Sequence, residues 1–223
     1  MVSDMTFSEV LKTRRSARGF TSQPVPHEVL RKVFSEAQSA PSNCNTQPWQ
    51  VAVVSGERLQ RLGERLSKAM LAGDLQPDFP YDGVYDGIYR ERQHNSANAL
   101  YSAMDIPRQD KAARHNAFMR NFTFFDAPHA AFFFLPKPFG LREAADLGMY
   151  AQTVMLALTA QGIASCPQTA LSFQPHLVRE ALVLPQSWQL LFGLSFGYPD
   201  ASHPSAACKT DRAALDSAVH FYD

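Results

Sequence analysis

Three guanidiniums and a hydroxyl fall within five positions at Arg14-Arg15-Ser16-Ala17-Arg18. Planar forked donors beside a hydroxyl suit the oxygens of a terminal phosphate dianion. The same cations would serve to complement the C-terminal dipole of a helix or simply face water, so these five residues alone leave both readings open. A second stretch, Ala40-Pro41-Ser42-Asn43-Cys44-Asn45-Thr46-Gln47-Pro48-Trp49, is dense in side-chain amides and carries proline toward either end. Amides offer donors and acceptors together, as the edge of a heteroaromatic ring with carbonyls and ring nitrogens requires. The alternative is a helix-to-strand connection that satisfies its own backbone.

Other chemistries find less support. Gly193-Leu194-Ser195-Phe196-Gly197 fits the G-x-S-x-G nucleophile elbow, but that elbow needs a helix directly after the serine and further strands bearing an acid and a histidine. Here Tyr198-Pro199-Asp200 reads as a turn and the chain soon ends. Small residues in a closely packed strand explain the pattern better. The histidines never fall at H-x-H or H-E-x-x-H spacing, so no metal is expected. No G-x-G-x-x-G or G-x-x-x-x-G-K-[ST] occurs, so a nicotinamide cofactor would bind transiently. Cys44, Cys166 and Cys208 are odd in number and far apart, which argues for reduced thiols. For Cys44 and Cys166, packing is the expected role, since no base or cation is indicated that would activate a thiolate.

These residues need a scaffold, and the periodicities supply one. Thr6-Phe7-Ser8-Glu9 is a capping-box pattern opening a first helix that runs toward Arg14. Pro24-Val25-Pro26 opens a second with an apolar stripe, stopped by Pro41, so residues 41–48 are loop. Residues 49–54 read as a buried strand, and Leu59, Leu62 and Leu66 mark an amphipathic helix. Residues 73–89 break into Gly, Pro and Tyr, too aromatic for a disordered linker, and the segment 73–93 looks like an ordered excursion or lid. A surface insertion packing on its own scaffold is the equal alternative.

Helical patterns resume at 90–100 and 110–120, followed by an apolar strand at 130–135. A nearly all-round apolar helix over 143–161, closed by Gly162, is expected to be central and buried. Cys166-Pro167-Gln168 reads as loop, a short helix starts at Pro175, and a strand covers 188–196. Few strands separated by helices fit an α+β or mixed α/β layer fold.

With 223 residues, 45% of them hydrophobic, the chain fits a single domain over 1–223. Lys+Arg and Asp+Glu both total 21, so no net field attracts nucleic acid or an anionic membrane. The first residues lack a basic stretch followed by an apolar one, and the longest apolar run is too short to span a bilayer, so the cytoplasm is the expected location.

Taken in order, Arg14-Arg15-Ser16-x-Arg18-x-Phe20, Pro24-Val25-Pro26 and Ala40-Pro41-Ser42-x-x-Asn45-x-Gln47-Pro48-Trp49 resemble the nitroreductase family. The resemblance continues through Phe124-Phe125-Asp126-Ala127-Pro128, Asp146-Leu147-Gly148-Met149, Gly162-Ile163-Ala164-Ser165-Cys166-Pro167-Gln168 and Gly197-Tyr198-Pro199-Asp200, and covers nearly the whole chain. It implies an α+β fold, a mixed, mostly antiparallel sheet flanked by helices, in an intertwined homodimer with two FMN sites at the subunit interface.

On that likeness Arg14, Arg15, Ser16 and Arg18 hold phosphate and ring from one subunit, and Lys209 and Arg212 join the phosphate site. Pro41, Ser42, Asn43, Asn45 and Gln47 approach the flavin from the other subunit, and residues 209–223 form an extension toward that partner. Pro167-Gln168-Thr169-Ala170 corresponds to a loop whose backbone N–H points at the flavin N5. Many members carry an acidic residue followed by glycine there, where this chain has Thr169-Ala170. Arg120 or Asn121 is the candidate for the pyrimidine end, where a donor or cation would stabilise charge on reduced flavin.

The implied activity is transfer of hydride equivalents from NAD(P)H, by ping-pong kinetics, to small nitroaromatic or quinone-like acceptors. No protein side chain is expected to act as the catalytic group. Members with other roles on the same fold, such as dehalogenation, flavin cleavage, flavin carriage or redox sensing, keep a second reading open.

Overall fold

Strand β2 (His129–Pro136) is buried on both faces, and its side chains divide by parity. Ala130, Phe132 and Phe134 enter one core, while Ala131, Phe133 and Leu135 enter the other, as the two-residue repeat of a strand requires. The computed structural model describes residues 5–223. The N-terminal reading rests in part on residues 1–4, which lie outside them.

Strands β1 (Gln50–Ser55), β2, β3 (Ala164–Gln168) and β4 (Trp188–Gly197) form one sheet in the order β1-β2-β4-β3, every neighbouring pair antiparallel. A parallel bridge from Ser16 to Ser165 adds the segment after the first helix to the β3 edge. Helices α1 (Phe7–Thr13), α2 (His27–Ala37), α3 (Gly56–Leu71), α4 (Gly87–Ala103), α5 (Lys111–Met119), α6 (Leu141–Ala160) and α7 (Pro175–Leu182) surround it. This is the α+β architecture expected.

Most elements follow the sequence signals closely. Thr6 caps α1, and the capping box with Glu9 is made in both directions, worth about 1 kcal/mol. Gly162 ends α6 at φ +72°, a left-handed position that glycine occupies without strain. A bulge between Phe133 and Phe134 leaves Leu191 without a partner on β2. It also reverses the parity of β4: Leu190 sits in the first core, but Leu194 and Phe196 in the second. Gly193 and Gly197 are tight because a Cβ would lie 2.5 Å from Leu171 Cδ1 and 2.6 Å from Pro128 Cδ, respectively. The G-x-S-x-G match is therefore a packed strand.

Three expectations need correction. Cys166-Pro167-Gln168 is the second half of strand β3, not a loop. Proline is tolerated there because β3 is an edge strand, where its missing N–H costs no ladder bond. Helix α4 begins at Gly87, three residues before the helical pattern read at Arg90, so residues 87–93 of the presumed excursion are already helix. Helix α6 buries Leu147, Tyr150, Ala151, Val154 and Leu158 but leaves Leu141 and Met149 exposed, so one side of it is covered and not the whole circumference.

The rest of the excursion is firmly attached. Arg179 and Asp78 form a buried ion pair at 2.5 Å, and Asp78 also accepts from the Leu190 N–H at 2.7 Å. Gln76 N–H donates to the Phe173 carbonyl at 2.9 Å, and Tyr81 stacks on Phe173. By contrast, residues 209–223 are exposed throughout, with Phe221 at 78% and Tyr222 at 91%. Among the described residues no helix is long and apolar enough to cross a membrane.

Candidate functional site

Helix α1 delivers Arg14 at its C-cap, and the chain then leaves in extended form along β3. Ala17 N–H donates to the Ser165 carbonyl at 3.0 Å, fixing the register of the Arg14–Arg18 segment against that strand. Arg14 and Arg18 thereby lie close enough to Cys166 for their fields to act on its thiol. Burial outweighs them and pushes the Cys166 thiol up to about 11, so this cysteine is packing and not a nucleophile. Cys44, expected to pack as well, is instead exposed and adopts φ +50°.

The cluster is electrostatically unbalanced. Burial holds the Arg14 guanidinium below its usual range, and the neighbouring Arg212 lowers it further. Among the described residues none of Arg14, Arg15, Arg18, Lys209 and Arg212 is in an ion pair. Arg15 donates to the Ala206 carbonyl at 3.1 Å, tying the cluster to the segment that continues to Lys209 and Arg212. Beside it, the Ser165 Oγ is buried without a hydrogen-bond partner. Cations gathered outside any ion pair, next to an orphaned hydroxyl, are suited to an anion. A phosphate monoester fits it, so the residues present suit the terminal group of FMN.

From Ser165 the strand runs to Gln168 and then into a 3₁₀ turn, Thr169–Ser172. The three steps of extended chain from Ser165 to Gln168 span about 10 Å, comparable with the length of a ribityl phosphate. Gln168 is buried, and its side chain points into the protein. Its amide donates to the Asn121 carbonyl and Oδ1 at 3.0 and 3.1 Å, and its oxygen accepts from Ser195. The Gln168 amide is therefore committed to Asn121 and Ser195, and Pro167 and Thr169 are the exposed members of the stretch, with Ala170 buried.

Arg120 donates to Asp126 and meets the His203 ring, each at 2.9 Å. Arg18 and Arg120 both face the Phe125 ring, at 6.0 and 5.7 Å from its centroid. Phe124, Phe125 and Asp126 all have positive φ, a costly backbone for side chains of this kind, and such strain concentrates at functional sites. Sequence reasoning missed His203, which packs against Gly19 so closely that a Cβ there would lie 2.4 Å from its ring. Only the folded chain brings these two together.

The amide-rich loop is pre-organised by its own side chains. Gln47 N–H donates to Ser42 Oγ at 2.9 Å, and the Gln47 amide donates to Asn45 at its carbonyl and Oδ1. Buried Asp146 on α6 accepts from the Asn43 N–H at 3.1 Å and anchors the loop, a role that its carboxylate type could have suggested. Pro41, Asn43, Asn45 and Gln47 are exposed, and no hydrogen bond among the described residues joins this loop to the arginine cluster. The structure of one chain thus brings together Arg14, Ser16, Arg18, Arg212 and the β3 stretch, and among the described residues no hydrogen bond adds residues 41–47 to them.

Beside Pro167, Gln168 and Thr169 opens a cavity of about 510 Å³. Phe79 and Tyr81 of the excursion wall one side of it, Gly148 and Met155 of α6 another, and the bulged Leu191 with Phe192 a third. No carboxylate or histidine lines it, and burial pushes the Tyr81 phenol up.

Comparison with known proteins agrees with this geometry. The profile of the Nitroreductase family matches residues 11–198. Nitroreductase NfnB of Mycolicibacterium smegmatis is 42% identical over 213 residues, covering 95% of this chain and 91% of that one. A 4-nitrobenzoate reductase of Pseudomonas putida is 30% identical, covering 96% and 95%. The crystal structure of the FMN-dependent NfnB from Mycobacterium smegmatis in complex with NADPH superposes with a TM-score of 0.93 at 41% identity over 97% of both chains. Family profile, full-length relatives and shared fold converge, and the chain belongs to the nitroreductase family.

Proposed function

We propose that this chain is an FMN-dependent NAD(P)H oxidoreductase that reduces small nitroaromatic or quinone-like molecules. The observation that carries the proposal is the unpaired cation cluster at Arg14, Arg18 and Arg212, beside the orphaned Ser165 hydroxyl. It lies at one end of the strand whose other end borders the 510 Å³ cavity. Relatives of known activity carry the same assignment: a nitroreductase crystallised with NADPH and a 4-nitrobenzoate reductase.

Arg14, Ser16, Arg18 and Arg212 would hold the phosphate, with Arg15 and Lys209 adding positive field at the rim. Bound FMN supplies the centre that accepts and returns hydride. Residues 167–170 border the ring, held in place from behind by the Asn121–Gln168–Ser195 hydrogen bonds. Arg120, between Asp126 and His203, stands as the cation for the pyrimidine end.

Pro41, Ser42, Asn43, Asn45 and Gln47 reach the flavin of a second copy in a homodimer. This accounts for a pre-organised, exposed amide loop that makes no hydrogen bond to the arginine cluster of its own chain. The exposed apolar residues of the 209–223 extension, Leu215, Val219, Phe221 and Tyr222, would be covered by that partner.

The cavity is lined mainly by apolar and aromatic residues, with a few amides and hydroxyls, is of a size for one aromatic ring system, and offers no carboxylate or histidine, so protons for the acceptor come from solvent or from the flavin. Residues 73–86 act as its lid on one domain spanning the chain. Three unpaired thiols suit the reducing cytoplasm.

One cavity serving two substrates in turn makes the kinetics ping-pong, with parallel double-reciprocal plots for NAD(P)H and a nitrobenzoate. Chromatography of the flavin released on denaturation should identify FMN. Release of FAD, or a colourless protein that ignores added FMN, would overturn the proposal.

A further inference from the structure

Two small cavities continue from the arginine cluster along α4 and α5. The first, about 200 Å³, is walled by Arg18, Tyr101, Phe118, Arg120 and Asn121. The second, about 220 Å³, is walled by His94, Asn98, Tyr101, Ser102, Arg108 and Arg114, so Tyr101 is common to both. Positions 94, 98, 101 and 102 recur at helical spacing, which puts an imidazole, an amide, a phenol and a hydroxyl on one face of α4. That helix buries no residue, so packing in the core does not explain this face.

The cations of the second cavity are oriented. The Arg114 guanidinium stacks over the Tyr101 ring at 4.7 Å and donates to the Arg108 carbonyl at 3.3 Å. Asp110, the carboxylate between the two arginines in sequence, is turned to the start of α5, where it accepts from the Ala113 N–H at 2.8 Å. No Asp or Glu lines either cavity, and among the described residues neither Arg108 nor Arg114 is in an ion pair. Two guanidiniums and an imidazole around a small space, with hydroxyl and amide donors beside them, match a phosphate dianion. The adjoining cavity abuts Asn121, which accepts from Gln168 at the edge of the flavin stretch.

We propose that the cavity between His94, Arg108 and Arg114 receives the 2′-phosphate of NADPH and makes the protein select NADPH over NADH. This rests on the reading of the chain as an NAD(P)H oxidoreductase. A charge-assisted contact of this kind is worth about ten- to a hundredfold in affinity.

The test is a calorimetric titration of the FMN-loaded protein with NADP⁺ and with NAD⁺, in the parent and in the variants Arg108→Ser and Arg114→Gln. The parent should bind NADP⁺ at least about tenfold more tightly, and each variant should erase most of that ratio while keeping its affinity for NAD⁺. Arg108 is exposed and uses only its backbone carbonyl in the α4–α5 hairpin, so its replacement leaves the fold intact. Equal affinity for the two dinucleotides in the parent, or equal loss of both in Arg108→Ser, would overturn the proposal. Failure to oxidise either NADH or NADPH would sink the enzymatic reading itself, whereas equal turnover of both would sink only this inference.

Discussion

Replacing Arg14 by methionine separates what this guanidinium costs from what it contributes. Without an anion, its charge is disfavoured by burial and by Arg212, and no carboxylate compensates. Removing the charge while keeping most of the apolar stem should therefore leave the flavin-free protein within about 0.5 kcal/mol of its original stability. With FMN bound, the same change removes a charge-assisted phosphate contact of about 1.5–3 kcal/mol, or ten- to a hundredfold in Kd. At a flavin concentration of about 100 Kd, the ligand adds about 2.7 kcal/mol to stability, and a hundredfold weaker affinity leaves about 0.4 kcal/mol. At about 2–4 °C per kcal/mol for a chain of this length, the FMN-induced rise in Tm should shrink by about 5–9 °C for a hundredfold loss and by about 3–5 °C for a tenfold one. Differential scanning calorimetry with and without FMN reads both quantities. Arg142→Ala, at the exposed start of α6, serves as the control and should leave the rise intact. If Arg14→Met lowers the Tm of the flavin-free protein by several degrees, or if the FMN-induced rise survives, the phosphate assignment is wrong.

Gly193→Ala would place a Cβ 2.5 Å from Leu171 Cδ1 and 2.7 Å from Leu171 Cβ, inside the 3₁₀ turn that follows β3. Overpacking of this kind costs about 1–3 kcal/mol, so thermal stability should fall, and an unchanged Tm would mean that the turn yields freely. His129 accepts from the Val25 N–H at 2.8 Å, and burial lowers its pKa. The unfolded chain, titrating near about 6.5, then takes up a proton before the folded one does. Stability is full above about pH 6.5 and is lost as pH falls from there toward the lowered folded value. The Tm of the parent should drop more between about pH 7.5 and 5.5 than that of His129→Gln, which keeps an acceptor for Val25, and equal drops would exclude His129 as the cause. Light scattering should give twice the 24.8 kDa of one chain, and a stable single-chain species with bound FMN would contradict the shared site.

Much of this was legible from local pattern. The capping box at Thr6 and Glu9, the glycine stop at Gly162 and the apolar run of β2 each act over a few neighbouring residues, and each forms where the residue types place it. The arginine cluster was legible as chemistry because it is contiguous in sequence. Strand β3 was not. Five residues with a proline in fourth place carry no strand periodicity, and the edge position that permits them is a property of the whole sheet. The bulge at Leu191 escaped for the same reason, since it depends on the register with β2.

Within the site, the sequence marked Gln168 as a flavin-side residue, but its buried amide is committed to Asn121 and Ser195, neighbours that only tertiary contact supplies. His203 against Gly19, and Arg114 over Tyr101, were hidden likewise by separation along the chain or by the silence of a helix with no apolar face.

The most direct test of the account is to mix the FMN-loaded protein with NADPH in the absence of oxygen, follow the flavin absorbance, and then add a nitrobenzoate. The account predicts bleaching by NADPH alone, release of NADP⁺, and full recovery of colour on addition of the acceptor in a separate second step. Bleaching that no nitro or quinone compound reverses would contradict the reductase assignment, and absence of bleaching by either nicotinamide would contradict the site itself.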